Sequence, residues 1–229
     1  MAVQFNSFAE SNVSGTNDTL TNPVSFTNTS GDLLLAALVG DNTTASVSAV
    51  YYGGPSGQLT QLFDHRFDAN YMWVGYLLSP ATGTNDLTFN FTESLTAARI
   101  GGITFRGVDL TDPIGGSNST SRQNELSTTT TISTTVTVQG ASGMVVDFLG
   151  MVNISAGSAD GGQTEKMNNT GGWGRAPTGH IMGISYKAHT GSNTTMGWSL
   201  TTISDHDDEH YAIELLPKKF GQAGIMTVL

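Results

Sequence analysis

Three features of the chain predict an all-β fold, an antiparallel β-sandwich. Short apolar runs bounded by Gly, Ser, Thr and Asn recur along its whole length. Several stretches alternate apolar and polar residues with period two, most clearly Leu87, Phe89 and Phe91. Landmarks of the first half also return in the second: Gly31 at Gly143, Tyr76 at Tyr186, Gly83 at Gly191 and Ile103 at Ile213, at offsets of 108 to 112 residues. An internal two-fold repeat of this kind implies two similar sheets facing each other across one core, or two tandem domains, and the five or six strands of each half favour one sandwich.

The two most telling elements are Leu33–Val39 and Met144–Leu149. Each is an almost unbroken apolar run between glycines, too short for a comfortable helix, and reads as a strand buried on both faces. The remaining elements are placed around them. Residues 1–21 alternate weakly and are expected as an extended N-terminal arm with one edge strand. Ala45 to Tyr52 reads as a strand closed by the turn Gly53–Gly57, followed by strands at Leu59 to Phe67 and Tyr71 to Leu78. Asp86 to Phe91 and Ala98 to Phe105 are two further strands. The polar stretch 109–127 is the longest connection, a linker or a crossing between halves of one sandwich. Thr128 to Val138 is β-branched and suits a solvated sheet face. The sandwich is expected over 22–217, in halves of about 22–108 and 128–217, with Pro217 ending the last core strand and 218–229 an apolar tail.

Composition narrows the classes of function. Of 229 residues 38% are hydrophobic, enough for a core, and only 12% are charged. Nineteen acidic against nine basic residues give a net charge of −10, which argues against nucleic acid or an anionic membrane as the main partner. No apolar run is long enough to insert in a membrane as a helix, and the first residues carry no signal-peptide pattern. The absence of cysteine excludes disulfides and thiolate metal sites, so stability rests on the core or on assembly.

Taken in order, Gly31-Asp32 with its apolar strand, the turn Tyr52-Gly53-Gly54, the aromatic strand Trp73–Pro80, Gly83-Thr84-Asn85-Asp86-Leu87-Thr88-Phe89-Asn90-Phe91, the corner Phe105–Ile114 and the closing strand Tyr211–Pro217 form a recognisable series. The series resembles a Gly/Ser/Thr-rich, jelly-roll-like domain family of bacteriophage virion proteins and bacterial extracellular proteins. The resemblance covers roughly residues 25–217, and its most specific part is the corner. It implies a β-sandwich in a structural or adhesive surface role and no catalytic residues.

Candidate sites are few. Ser204–His210 is the densest polar cluster; Asp205, Asp207 and Glu209 are weak candidates for a divalent cation, against the plainer expectation of a solvated hairpin tip. No cofactor is expected. No nucleophile elbow occurs, nothing singles out a carboxylate pair, and the chain is expected not to be an enzyme. Trp173, set among glycines, is a possible glycan contact, with Tyr51-Tyr52 as a second platform. Phe220, Ile225, Met226, Val228 and Leu229 are candidate assembly contacts in the tail. The reading that follows is a structural protein of a tailed-phage virion, a capsid decoration protein or a tail or fibre component. It would be made in the host cytoplasm and act at the virion surface, with copies of itself and the major capsid protein as partners. The alternative is a carbohydrate-binding or adhesive module engaging cell-surface glycans.

Overall fold

A computed structural model describes residues 2–41, 44–67, 70–125, 131–168 and 181–219. Twelve strands follow one another: β1 Gln4–Asn28, β2 Leu33–Asp41, β3 Val47–Tyr52, β4 Thr60–Phe67, β5 Asn70–Leu78, β6 Gly83–Arg106, β7 Ile114–Glu125, β8 Thr131–Val136, β9 Gly143–Ala159, β10 Thr164–Asn168, β11 Ile181–His189 and β12 Thr194–Leu215. The first six form one antiparallel sheet in the order β1-β6-β2-β5-β4, with β3 also on β6. The last six form the second, in the order β10-β11-β9-β12-β7, with β8 also on β12.

The two sheets face each other, as the β-sandwich expectation requires. From the first come Leu33, Leu35, Ala37 and Val39 of β2, Met72 and Val74 of β5, and Ile103 and Phe105 of β6. From the second come Val146 and Phe148 of β9, Met182 and Ile184 of β11, and Tyr211, Ile213 and Leu215 of β12. Aromatic pairs close this shared core at both edges. Phe63 of β4 stacks on Tyr211 at 4.5 Å between centroids, and Phe5 of β1 stacks on Tyr186 of β11 at 5.7 Å.

The alternate residues of the central strands also need cover, and the long strands supply it. A straight strand of 24 residues would span roughly 80 Å, far more than one sandwich layer. Strand β6 instead arches over, so that Leu87, Phe89 and Phe91 pack with Val50 and Tyr52 of β3 onto Leu34, Ala36, Leu38, Trp73 and Ile100. Trp73 meets Phe89 edge-on at 5.6 Å. The second half is covered in the same manner by Ile132, Met196, Trp198 and Leu200. Residues 86–91 and 98–105, expected as separate strands, are thus parts of one bent strand.

Two further expectations change. The edge strand expected within residues 1–21 is present and extends further: Gln4–Asn28 is one edge strand paired with β6 from Gln4↔Arg106 to Asn28↔Gly83. The polar stretch within 109–127 is mostly strand β7, paired with β12 from Ile114↔Leu215 to Glu125↔His206. Its backbone is satisfied in the ladder, and side chains such as Asn118 and Thr120 bond the Thr135 and Ser133 carbonyls of β8, a role that its scarcity of apolar residues concealed. The sheets also differ in which strand is interrupted. In the first sheet β1 runs the full length of β6 and the other flank is divided between β2 and β3. In the second β9 runs the full length of β12 and the other flank is divided between β7 and β8.

The residues of the specific corner form the joint between sheets. Gly107 has φ +76°, a conformation that side chains resist, and its N–H donates to Asp32 Oδ2 at 2.5 Å. The Asp109 amide bonds the Leu216 carbonyl, the Leu216 amide bonds Pro113, and the Lys218 amide bonds Gly107. Asp109 Oδ1 accepts from the amides of Thr111 and Asp112 at 2.9 and 3.3 Å, and chiefly the Thr111 bond holds this carboxyl below the usual range.

Removing a buried ring from the shared core tests this arrangement. Phe148→Ala is expected to cost about 3–5 kcal/mol in chemical denaturation, whereas Leu110→Ser, at a position 41% exposed, is expected to change stability by under about 0.5 kcal/mol.

Candidate functional site

The densest set of ionisable side chains lies on β12. Asp207, Asp208, Glu209 and His210 are 7%, 0%, 1% and 0% exposed, so this is the interior of a central strand and not the solvated hairpin tip expected from sequence. Strand alternation sends Glu209 and Tyr211 toward the first sheet and Asp208 and His210 toward the outer layer. Asp205 lies on the same strand. No group of three or more His, Cys, Asp or Glu placed to hold a metal ion occurs among the described residues.

Each of the buried charges has a specific partner. Glu209 Oε2 is 2.6 Å from Nδ1 of His65 on β4, a contact that ties the two sheets together. Burial pushes the Glu209 carboxyl up from its ordinary value, against the opposing influence of the Ser121 hydroxyl and His65. Asp208 takes Nε of Arg122 at 2.9 Å, with Nη2 also 2.9 Å from Oδ2, so the guanidinium meets it along two atoms.

Glu214, fully buried, gathers three backbone amides: Gly116 at 2.9 Å, Gln139 at 2.7 Å and Gly140 at 2.9 Å. His189 Nε2 stands 3.1 Å from Oε1, the oxygen that also takes the Gly140 amide. Nδ1 of His189 accepts the Gly191 amide at 3.2 Å, so the ring proton is on Nε2, facing the carboxylate. Room for this carboxylate comes from glycine: a Cβ on Gly115 would lie 2.1 Å from Glu214 Oε2.

Asp147 is the centre of a third cluster. Oδ1 accepts from the amide and hydroxyl of Ser185 at 3.0 and 2.5 Å; Oδ2 accepts from Trp198 Nε1 and His210 Nε2, both at 2.8 Å. Gln163 donates Nε2 to Ser185 Oγ at 2.7 Å and accepts the Gly197 amide on Oε1 at 2.7 Å. Ser, His and Asp are all present, yet the carboxylate stands between hydroxyl and ring. In a hydrolytic triad the ring stands between hydroxyl and carboxylate, so this is no proton relay of that kind. Sequence reasoning missed the cluster. Its signal was an aspartate inside Met144–Leu149, a run read as buried on both faces, where a carboxylate must have donors.

Trp73 and Trp198 lie in the core as their strand patterns implied, at 2% and 0% exposure. Tyr52 does too, with its hydroxyl donating to the Phe26 carbonyl at 3.1 Å, and so offers no platform for a glycan. The open cleft beside it, lined by Ser25, Gly53, Gly54, Thr84, Asn85 and Asp86, is polar and contains no aromatic ring. Trp173 and the tail positions Phe220, Ile225, Met226, Val228 and Leu229 lie outside the described residues. Comparison of the chain with protein-family models, with curated proteins and with solved structures finds no match.

Two outcomes follow. Because the native Glu209 pKa is raised, the folded state holds the proton more tightly than the unfolded chain. The stability this supplies is complete below the unfolded value near 4.5 and is lost as pH rises through the native value. Glu209→Gln is expected to flatten that part of the stability–pH curve, measured by urea unfolding. Arg122→Ala, which removes the cation from buried Asp208, is expected to cost about 3–5 kcal/mol, most of it recovered when Asp208→Leu is added to Arg122→Met.

Proposed function

We propose that the chain is a non-catalytic structural protein of a tailed-phage virion, a surface component of the capsid or tail that assembles with copies of itself and with the major capsid protein. The observation that carries this reading is the inward use of its chemistry. Glu209, Asp208, Glu214 and Asp147 are at most 1% exposed and are consumed by contacts that hold strands and sheets together. A substrate site needs such groups to converge on an accessible cavity; here they converge on the backbone and on one another.

The sequence resemblance supports the same reading, since its most specific part, Phe105–Ile114, lies at the joint between the sheets, where Gly107 bonds Asp32 of the Gly31-Asp32 motif. An acidic, cysteine-free sandwich serves as a spacer or clamp on a particle. The apolar segment 220–229 supplies the contact to neighbouring subunits by strand addition or apolar anchoring. Light scattering on the full chain and on a chain ending at Lys219 tests this, because the shorter chain keeps the Lys218 bond to Gly107. The full chain is expected to form an oligomer and the shortened one a folded monomer with unchanged far-UV circular dichroism. Identical masses would remove the tail from the assembly.

A further inference from the structure

The Asp147 cluster holds more chemistry than a core requires. The first sheet builds the corresponding strand crossing without it. There Ala36 is paired with Gly75 and Gly102, and Leu38 with Ile100. In the second sheet Asp147 is paired with Ser185 and Ala212, and Leu149 with His210. An aspartate, a serine and a histidine therefore stand where the other sheet has alanine, glycine and isoleucine. Buried polar residues that the fold can do without mark a place where local rules yield to another purpose.

We propose that Ser185 and Gln163 form an intramolecular ester cross-link, built by the protein on itself. The four parts of an acyl transfer are adjacent. The nucleophile is Ser185 Oγ, fully buried; the base is Asp147 Oδ1, which accepts the hydroxyl's hydrogen bond at 2.5 Å. The electrophile is the side-chain amide of Gln163. Its nitrogen lies 2.7 Å from Oγ, and its carbonyl carbon is one covalent bond beyond. The Gly197 N–H, 2.7 Å from Gln163 Oε1, is placed to stabilise the negative charge that develops on that oxygen. Trp198 and His210 are positioning residues: they hold Oδ2 of Asp147 and so aim Oδ1 at the hydroxyl.

The step balances within these groups. The Gln163 amide turns its carbon toward Oγ. The Ser185 proton passes to Asp147 as Oγ bonds the Gln163 carbonyl carbon, giving a tetrahedral centre whose oxygen faces Gly197. The centre collapses, the carbon–nitrogen bond breaks, and the departing nitrogen takes the proton from Asp147 and leaves as ammonia. Asp147 ends as the carboxylate it began as, and no oxidant, metal or further reactant is used. Gln163 is only half-buried, at the turn where its backbone N–H donates to the Asp160 carbonyl, so ammonia escapes to solvent and the reverse reaction is starved. Ser185 and Asp147 are 0% exposed, which keeps hydrolytic water from the ester.

Intact-mass spectrometry of the denatured full-length chain decides the matter. The wild type is expected to be lighter than its sequence by one ammonia, about 17 Da, as a covalent modification must register. Its digest is expected to give the peptides containing Gln163 and Ser185 as one linked species, while Ser185→Ala has its full mass. A wild type at full sequence mass overturns the proposal, and so does a deficit that persists in Ser185→Ala. The wild-type measurement requires no variant to fold.

Discussion

Two strands buried on both faces set the terms for everything else. Leu33–Val39 and Met144–Leu149 each present apolar side chains in both directions, and a two-layer sandwich covers one direction only. The chain resolves this by making β1, β6, β9 and β12 long enough to arch over their own sheets. One shared core then lies between the sheets and further apolar clusters lie outside them. Asn28 helps close the first arch: its Oδ1 takes the Gly31 amide at 2.7 Å and its Nδ2 donates to the Pro80 carbonyl at 2.9 Å.

The two outer layers obey the same geometry with different chemistry. Over the first sheet the cover is aromatic and aliphatic, built around Trp73 and Phe89. Over the second, Trp198 is held by its indole N–H to a carboxylate, and Gly183 leaves room for its ring, since a Cβ there would meet the ring at 2.7 Å. A buried carboxylate is tolerable when donors surround it, and Asp147 has four. What such a network adds over leucine and isoleucine is directionality, since each partner is fixed by a line between two atoms.

Much of the fold was legible because apolar period and glycine boundaries are local signals: β2, β3, β5 and β8 follow them closely. Two kinds of element were not. Strand β7, Ile114–Glu125, is made of small polar residues whose pairing with β12 is decided by a partner some ninety residues away, and nothing local distinguishes it from a loop. The charged run in β12 was misread for the opposite reason. Asp207–His210 has the composition of a solvated turn, and partners on other strands, among them Arg122 of β7, His65 of β4 and Asp147 of β9, make its burial possible. Asp147 could have been suspected from its apolar neighbours; its link to Gln163 through Ser185 depends on strand order and was beyond reach.

The joint at Gly107 gives the molecule a head and a foot. Gln4 pairs with Arg106 and the Lys218 amide bonds Gly107, so the two ends of the described chain emerge side by side. Gly143, paired with His189, lies toward the same corner through the Met144–Leu215 pairing, whereas Ile181 at the other end of β11 pairs with Met151. The strand ends that bracket residues 169–180 therefore point away from the foot. The two described chain ends lie at one pole, and the strands of Asn168 and Ile181 stop at the opposite one.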